Sequence, residues 1–299
     1  MILLDGSIGQ ELINRSKGVP TGLWGLKVMT DEPEILHAIH TDYYDAGAII
    51  ATANTYNVLR DRLKQFDVED RFRAFHEQAL GIANQARDAH GKGYVAGSMG
   101  PLGASYRPDL APPADQAADA YAEIAQIQAP HVDFFILETM ASIDQARGAV
   151  MGASVPGKPV WLAVSVEDRD GTRLRSGEPL SALVDGLKDL KIDALLINCA
   201  FPEAVTQAVP LLPDTWPKGG YANGFTEITE AFAVKGQVVT DLSARHDLSP
   251  AEYADHALRW AEDGATILGG CCEIGPAHIA KLKDTLEHEG HSLIEELDL

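Results

Sequence analysis

The sequence has no apolar run long enough to cross a bilayer, and it is poor in basic residues. Its 299 residues include 24 Lys and Arg against 44 Asp and Glu, for a formal net charge of −20. A transmembrane helix needs about 20 apolar residues in succession, and so acidic a surface repels nucleic-acid phosphates. Residues 1–6 also lack the basic region of a signal peptide. We therefore expect no nucleic-acid partner, no membrane partner and a cytoplasmic location.

Cysteine is also rare in this sequence, since the chain has only Cys199, Cys271 and Cys272. Three cysteines form no even framework of disulfides. In a reducing compartment, cysteines are more often inert core residues, metal ligands or catalytic groups. The few cysteines thus argue against a disulfide-stabilised secreted domain and leave those three roles open.

Short apolar segments alternate with longer amphipathic segments along the whole chain. The short segments are nearly continuous in apolar character and often β-branched, as parallel strands buried on both faces are. They predict strands over residues 1–5, 48–53, 93–98, 133–138, 159–165, 193–199, 219–223 and 265–270. Helical periodicity predicts helices over residues 33–46, 69–90, 114–129, 142–153, 179–190, 202–210, 249–263 and 276–289.

Eight such strand–helix units close most naturally into a (β/α)8 barrel, the TIM-barrel fold of the α/β class. A doubly wound open sheet is the alternative. No tract rich in Pro, Gly and Ser divides the chain, so we predict a single domain over residues 1–299. Residues 224–248 precede the seventh predicted helix and are long enough for a lid or an insertion.

All three cysteines lie at the carboxyl ends of predicted strands. Active sites of (β/α)8 barrels lie at the carboxyl ends of the strands. Cys199 ends the sixth predicted strand, and Cys271 and Cys272 follow the eighth. Other strands end in polar or small residues: Asp5, Gly6, Asn54, Tyr56, Glu138 and Asn223. The sequence therefore predicts one rim that carries every cysteine together with carboxylates and asparagines.

Three thiolates from two strand ends suit zinc, which favours sulfur in a tetrahedral shell and keeps a fourth position open in catalytic sites. Vicinal cysteines leave a regular strand on opposite faces, so the chain must turn at this point. The pairs Gly269-Gly270 and Gly275-Pro276 allow such a turn. The residues alone leave two other interpretations open, namely buried core cysteines and a vicinal redox pair.

Segments that follow one another along nearly the whole chain resemble the zinc- and homocysteine-dependent S-methyltransferases, which share a (β/α)8 barrel. The segments are DGSIGQEL at 5–12, LWGLKV at 23–28, HTDYYDAGAIIATANTY at 40–56, GSMGPLG at 97–103, FFILETM at 134–140, LLINCAFPEAV at 195–205, YANGF at 221–225 and GGCCEIGPAHI at 269–279. The INC motif at 197–199, followed much later by GGCC at 269–272, is highly specific for this family. One departure is Glu273, since that family usually has Gly after the cysteine pair.

The resemblance implies methyl transfer to the thiol of homocysteine, giving methionine, with Zn²⁺ as cofactor and no catalytic residue beyond the zinc site. It implies that the zinc ligands are Cys199, Cys271 and Cys272. It also implies that Glu138 and Asp5 bind the homocysteine amino group and that Gly6 lets the backbone approach. Asn54 and Asn223 match polar pocket residues of the family.

The methyl donor expected from the resemblance is a small onium compound such as S-methylmethionine or betaine. Donors of the folate or corrinoid type usually need extra domains, for which 299 residues leave no room. Aromatic faces bind cations, so Trp24 and Tyr56, in predicted rim loops, are candidate donor contacts. The basic residues from Arg60 to Lys64 either meet a donor carboxylate or simply line a helix.

Two other functions are alternatives. A zinc hydrolase on the same barrel needs His or carboxylate ligands and a general base, but HxH and HExxH patterns are absent. A redox or binding protein that uses the vicinal pair leaves Cys199 without a role. As partners we expect only the small-molecule substrates, homocysteine and a methyl donor, and as assembly a monomer or a simple homodimer.

Overall fold

Eight parallel strands form one sheet that curls into a barrel. The computed structural model describes residues 1–18, 22–228 and 242–298, without the side chain of Trp24. The strands are β1 (Ile2–Leu3), β2 (Ile50–Thr52), β3 (Tyr94–Met99), β4 (Phe134–Met140), β5 (Val160–Val164), β6 (Ala194–Asn198), β7 (Lys218–Tyr221) and β8 (Ile267–Leu268). Each pairs with its neighbour in sequence from β2 to β8, and β8 pairs with β1. A parallel bridge between Leu4 and Ile50 connects β1 to β2 and completes the circle.

This pairing order confirms the (β/α)8 barrel and excludes the doubly wound open sheet, because the first and last strands of the chain are neighbours. Every predicted strand is present, although most are shorter than predicted because the ends of the apolar runs continue into loops. No helix in the described part of the chain is both long and apolar enough to span a membrane.

The helices surround the barrel, and each of the eight predicted ones is present. The helices are α1 (Ile8–Arg15), α2 (Trp24–Asp31), α3 (Pro33–Asp45), α4 (Arg60–Lys64), α5 (Phe72–His90), α6 (Ala114–Gln128), α7 (Ile143–Ala153), α8 (Leu183–Leu187), α9 (Pro202–Ala208), α10 (Pro250–Glu262) and α11 (Pro276–His288). Three of them, α1, α2 and α4, were not predicted and follow β1 and β2. Of the predicted lid or insertion at 224–248, residues 229–241 lie outside the described residues.

Serine residues set the start of several helices. Ser7 accepts a hydrogen bond from the backbone N–H of Gln10, and Ser142 accepts one from that of Gln145. Ser249 and Glu252 form a reciprocal capping box at the start of α10. These side chains satisfy N–H groups that have no partner within the helix. Because Ser7 caps α1, this helix begins immediately after the first strand end.

The barrel interior is filled by side chains and is not a pore. Its apolar cluster consists of Leu4, Ile50, Ala96, Phe134, Ile136, Trp161, Ala163, Ala194, Leu196, Tyr221 and Ile267. The rings of Phe134 and Trp161 pack with centroids 4.3 Å apart. A second, larger cluster lies between the strands and the helices. The packed interior leaves the carboxyl ends of the strands as the place for a site, as in other barrels of this class.

Candidate active site

The three cysteines converge at the carboxyl end of the barrel. Their Sγ atoms all lie within 4.8 Å of one another. Cys199, directly after β6, is joined by a disulfide to Cys271, 72 residues later and just after β8, whereas Cys272 is a free thiol. The structure therefore brings the predicted cluster together. It pairs Cys271 with Cys199 and not with Cys272, so the vicinal disulfide of the redox alternative is not formed.

The donor set fits one zinc ion once the disulfide is reduced. Zn–S bonds of about 2.3 Å in a tetrahedral shell put two sulfurs roughly 3.8 Å apart, which the spacing of this cluster allows. Metal ligation requires thiolates. Burial is the main reason why the pKa of the Cys272 thiol is raised to about 12, and the negative charge of Glu273 adds to this effect. A bound cation is what offsets such an unfavourable burial of thiolate charge.

Three residues beside the cluster have left-handed backbone conformations that favour glycine. Their φ angles are +61° at Thr139, +50° at Cys199 and +68° at Glu273. Asn198 stabilises the first of these turns, since its side chain accepts a hydrogen bond from the Thr139 N–H and donates one to the Thr139 hydroxyl, both at 3.0 Å. A non-glycine residue in this conformation costs about 1–2 kcal/mol. The turn after the cysteine pair thus keeps a glycine-like conformation although Glu273 occupies it.

Asp5 is held in a buried pocket at the end of β1. It is 3% exposed, and its carboxylate accepts hydrogen bonds from the backbone N–H of Thr52 at 2.6 Å and from the Thr52 hydroxyl at 2.7 Å. Burial raises the pKa of Asp5 to about 7, the bonds from Thr52 oppose this, and the negative charge of Glu138 adds to it. The effect of Glu138 on Asp5 fits the position of both carboxylates on the wall of one cavity.

Glu138 projects from β4 into the same region. Its carboxylate accepts hydrogen bonds from the Ser98 hydroxyl on β3 and from the Tyr221 hydroxyl on β7, the latter at 3.0 Å. Burial raises the pKa of Glu138, and the two hydroxyl bonds lower it by less. Three strands therefore fix one carboxylate in a place where its charge is unfavourable unless a cation binds.

A cavity of about 400 Å³ joins these groups at the barrel mouth. Predicted site residues that line it are Asp5, Gly6, Asn54, Tyr56, Glu138, Cys199, Cys271 and Cys272. Gly6 is required there by packing, because a Cβ at this position would lie 2.1 Å from the carbonyl oxygen of Ile274. Asn54 donates to the Gly25 carbonyl at 3.2 Å, and the Tyr56 hydroxyl lies 2.8 Å from Ser105 Oγ.

Two predicted site residues are placed differently. Asn223 is fully buried beside the cysteine turns, where its side-chain oxygen accepts a hydrogen bond from the N–H of Phe225, and it does not line the cavity. Trp24 begins α2 and is not in a loop, which corrects the predicted setting. The position of its side chain, on which the predicted donor contact depends, lies outside the described part of the chain.

A buried arginine that was not among the predicted site residues holds the turn at Cys199. Arg175 donates from Nε to Ser165 Oγ at 2.8 Å and from Nη2 to the Cys199 carbonyl oxygen at 3.1 Å. It also pairs with Asp168 at 2.7 Å, and its guanidinium carbon lies 4.5 Å from the centroid of the Tyr106 ring. The side chains of the pair are only 11% and 15% exposed. The available signal was an acidic and a basic residue, Asp168 and Arg175, after the fifth strand, which was one of two predicted strand ends without a candidate.

Comparisons with known proteins agree with this architecture and site. A sequence model of the homocysteine S-methyltransferase family matches residues 2–286. The homocysteine S-methyltransferase of Escherichia coli strain K12 is 28% identical over 308 residues, covering 95% of this chain and 94% of the relative. The homocysteine S-methyltransferase YbgG of Bacillus subtilis strain 168 is 27% identical over 304 residues, covering 94% and 93%.

Solved structures give the same result. The homocysteine methyltransferase MmuM of Escherichia coli in its metallated form superposes with a TM-score of 0.78 at 26% identity, covering 95% of this chain and 96% of that one. Its oxidized form gives a TM-score of 0.79 at 27% identity, covering 95% of each chain. Because the family model spans almost all of the sequence, and because the barrel and the cysteine cluster accord with it, this chain belongs to the homocysteine S-methyltransferase family.

Proposed function

We propose that this protein transfers a methyl group from a small onium donor to the thiol of homocysteine, giving methionine, with zinc held by Cys199, Cys271 and Cys272. The observation that carries the proposal is the convergence of three thiols and two buried carboxylates on one cavity. The relative from Escherichia coli supports it by its name, and the metallated form of MmuM supports a metal site.

The metal would overcome the weak nucleophilicity of a free thiol. The thiol of homocysteine, with a pKa near that of cysteine at about 8.5, is mostly protonated at neutral pH. Zinc, when bound, supplies the positive charge that keeps the acceptor sulfur deprotonated. Three protein sulfurs leave a fourth position for that acceptor. The role of the protein is to present three reduced cysteine sulfurs from the ends of two strands.

Asp5 and Glu138 supply the anchor for the acceptor ammonium. Charge-assisted hydrogen bonds from an ammonium to these carboxylates are stronger than neutral ones. Both carboxylates are already oriented by Thr52, Ser98 and Tyr221, so little conformational freedom is lost on binding. Burial raises the pKa of both carboxyl groups, so an ammonium bound beside them would stabilise their ionised forms.

The transfer itself is an in-line displacement. A bond forms between the acceptor sulfur and the methyl carbon while the bond from that carbon to the donor sulfur or nitrogen breaks. The bonding electron pair stays on the donor, which leaves as a neutral thioether or tertiary amine, and the thiol proton is released to solvent. Catalysis of this kind depends on positioning, and the Tyr56 ring on the cavity wall is a candidate contact for the onium group.

The zinc-hydrolase alternative receives no support from the cluster. Within the described residues, the one group of three or more His, Cys, Asp and Glu side chains close enough to share an ion is the cysteine trio. Three thiolates make a metal a poor Lewis acid towards water, and no His or carboxylate ligand completes the set. Three further properties remain predictions: that the protein is cytoplasmic, that it consists of a single domain, and that it is a monomer or a homodimer.

A direct assay tests the proposed function. Reduced, zinc-loaded protein is incubated with homocysteine and a donor with deuterated methyl groups, S-methylmethionine in one reaction and betaine in another. Mass spectrometry then measures labelled methionine. We expect label transfer with at least one donor and none without protein. Metal-loaded, folded protein that transfers no label from either donor would refute the proposal.

The raised pKa of Asp5 predicts a pH dependence of product binding. Methionine has the ammonium of homocysteine but no thiol, so it reports on the carboxylates alone. With a pKa of about 7, Asp5 is mostly protonated at pH 6 and mostly ionised at pH 8. Since an ammonium binds the ionised form, we expect calorimetry to show methionine binding about tenfold tighter at pH 8 than at pH 6. The deaminated analogue 4-methylthiobutanoate is the control and should gain no affinity as pH rises.

Replacing Arg175 with methionine is expected to weaken zinc binding about tenfold or more. The substitution removes the hydrogen bond to the Cys199 carbonyl oxygen and leaves Asp168 without its partner. Groups that orient metal ligands typically contribute 10–100-fold in affinity. The measurement is zinc competition against a chromophoric chelator.

Arg173→Met is the matched control for Arg175. Arg173 lies two residues earlier, and its guanidinium is half exposed and 3.6 Å from Asp170. We expect this variant to bind zinc like the wild type. Equal zinc affinities for Arg175→Met and Arg173→Met would show that Arg175 has no influence on the cluster.

A further inference from the structure

The two arginines of the basic cluster at residues 60–64 lie in different environments. Arg60 turns outward, where Nε and Nη2 donate to the two carboxylate oxygens of Glu123 at 2.7 and 2.6 Å. Its guanidinium carbon also stacks 4.3 Å from the centroid of the Phe72 ring. Arg62, two residues later on α4, instead lines the cavity at the barrel mouth. Only the second arginine is placed to meet a substrate.

The guanidinium of Arg62 donates hydrogen bonds to uncharged acceptors. It donates to Asn57 Oδ1, to the Pro101 carbonyl oxygen at 3.2 Å and to Ser105 Oγ at 3.3 Å. Its central carbon lies 5.5 Å from the centroid of the Tyr56 ring. These contacts fix the direction of the side chain without neutralising its charge.

No carboxylate of the described residues forms an ion pair with Arg62. The carboxylate of Asp61 is the nearest in sequence, but its two oxygens accept backbone N–H bonds, from Arg62 at 2.9 Å and from Gly103 at 2.7 Å. Arg60 of the same cluster contrasts with this, since it has two carboxylate partners. The positive charge of Arg62 is therefore available to an anionic group that enters the cavity.

The charges around the cavity differ between floor and rim. Asp5, 3% exposed, lies on the floor with Glu138, and both are acidic. Among the described lining residues, Arg62 is the one Lys, Arg or His, and it is only partly buried. A ligand bound at the floor has to present a cation to these carboxylates. A ligand bound at the rim next to Tyr56 meets the aromatic ring and the guanidinium of Arg62 that lies over it.

We propose that Arg62 binds a carboxylate of the methyl donor, so that the donor subsite selects onium compounds that carry a carboxylate over onium compounds that do not. This inference rests on the proposed function. Tyr56 contacts the guanidinium and lines the cavity, so an onium group near its ring leaves the carboxylate of the same molecule within reach of Arg62. The planar guanidinium fork matches the two oxygens of a carboxylate.

Steady-state kinetics of three variants test this assignment. Arg62→Gln removes the charge, Arg62→Lys keeps it without the fork, and Arg60→Gln is the matched control from the same helix. With S-methylmethionine as donor, we expect Arg62→Gln to raise the donor KM about 10- to 100-fold. Its kcat and the KM of homocysteine should stay within about twofold of the wild type. Arg62→Lys should recover part of the loss, and Arg60→Gln should behave like the wild type.

The methyl ester of S-methylmethionine separates a carboxylate contact from a general effect of the substitution. The ester keeps the sulfonium and lacks the anionic carboxylate. Wild type and Arg62→Gln should therefore have the same, high KM for it. An unchanged donor KM in Arg62→Gln, a raised homocysteine KM in its place, or an ester as good as the free acid for the wild type would each overturn the proposal.

Calorimetry keeps the inference distinct from the proposed function, because it needs no turnover. S-methylmethionine is titrated into zinc-loaded wild type and zinc-loaded Arg62→Gln in the absence of homocysteine. Binding to the wild type that weakens at least tenfold in the variant supports the subsite even if no methionine forms, a result that would refute the proposed function alone. Equal binding by both proteins, or none by the wild type, refutes the subsite.

Discussion

Cys272→Ser is expected to remove zinc from the purified protein and to lower methyl transfer more than about a hundredfold. Residues that merely orient a metal ligand contribute 10–100-fold, and the loss of a ligand itself should exceed that. Cys272 is the most informative of the three cysteines, because it is the free thiol and its replacement leaves the Cys199–Cys271 pair in place. Serine retains nearly the same volume but offers a protonated hydroxyl, a poor zinc ligand.

Metal analysis by plasma mass spectrometry, done on protein reduced before zinc loading, checks this expectation. The wild type should hold one zinc per chain, the variant close to none, and circular dichroism should show both folded. Reduction is required because two of the three ligands are joined to each other in the structure. One zinc per chain retained by Cys272→Ser would show that this residue is not a ligand.

Glu138→Gln is expected to lower kcat/KM for homocysteine roughly 30- to 1000-fold while the donor KM changes little. Truncating one partner of a buried charged pair costs about 2–4 kcal/mol, and each 1.4 kcal/mol is a tenfold change. Glutamine has the shape of glutamate, and its carbonyl oxygen can accept from one of the two hydroxyls, Ser98 or Tyr221, while its NH2 group donates to the other, so the cavity should keep its form. What is lost is the negative charge that the acceptor ammonium needs.

The stability of the same variant separates this role from a structural one. Burial raises the pKa of Glu138, which means that the folded protein without substrate pays to keep the carboxylate ionised. The melting temperature of Glu138→Gln at pH 8 should therefore equal or exceed that of the wild type. Glu77→Gln, with a half-exposed carboxylate 3.6 Å from Arg73 on α5, is the control and should leave both activity and stability unchanged. Loss of activity together with a lower melting temperature would contradict the assignment.

The main elements of the fold were readable from local pattern. Runs such as FFILETM at 134–140 and ALLIN at 194–198 are apolar on both faces, and a segment buried on both faces is a strand of a covered parallel sheet. The rim location of Asp5, Glu138 and the cysteines followed from the direction of the chain, because all strands of a parallel barrel end on one side. These predictions needed no knowledge of which side chains touch.

Two of the three helices that escaped prediction, α2 and α4, have weak local signals. α2 begins at Trp24 without a side-chain cap and contains a glycine in its first turn, and α4 has only five residues and no cap. Both are stabilised by packing, because Leu26, Met29 and Leu63 are buried in the apolar cluster between the strands and the helices. Packing of this kind depends on contacts between distant segments, for which a single sequence has no periodic signature.

Sequence alone determined the alternation of strands and helices and the set of polar residues at the strand ends, because burial pattern and chain direction are local properties. Only the tertiary structure decided that Cys199 pairs with Cys271, that Asn223 is buried away from the cavity, and that Arg62 faces it while Arg60 does not. It also decided that Arg175 holds the turn at Cys199. The physical reason is that such relations depend on the distances between side chains from separate strands and loops, which exist only after the barrel has closed.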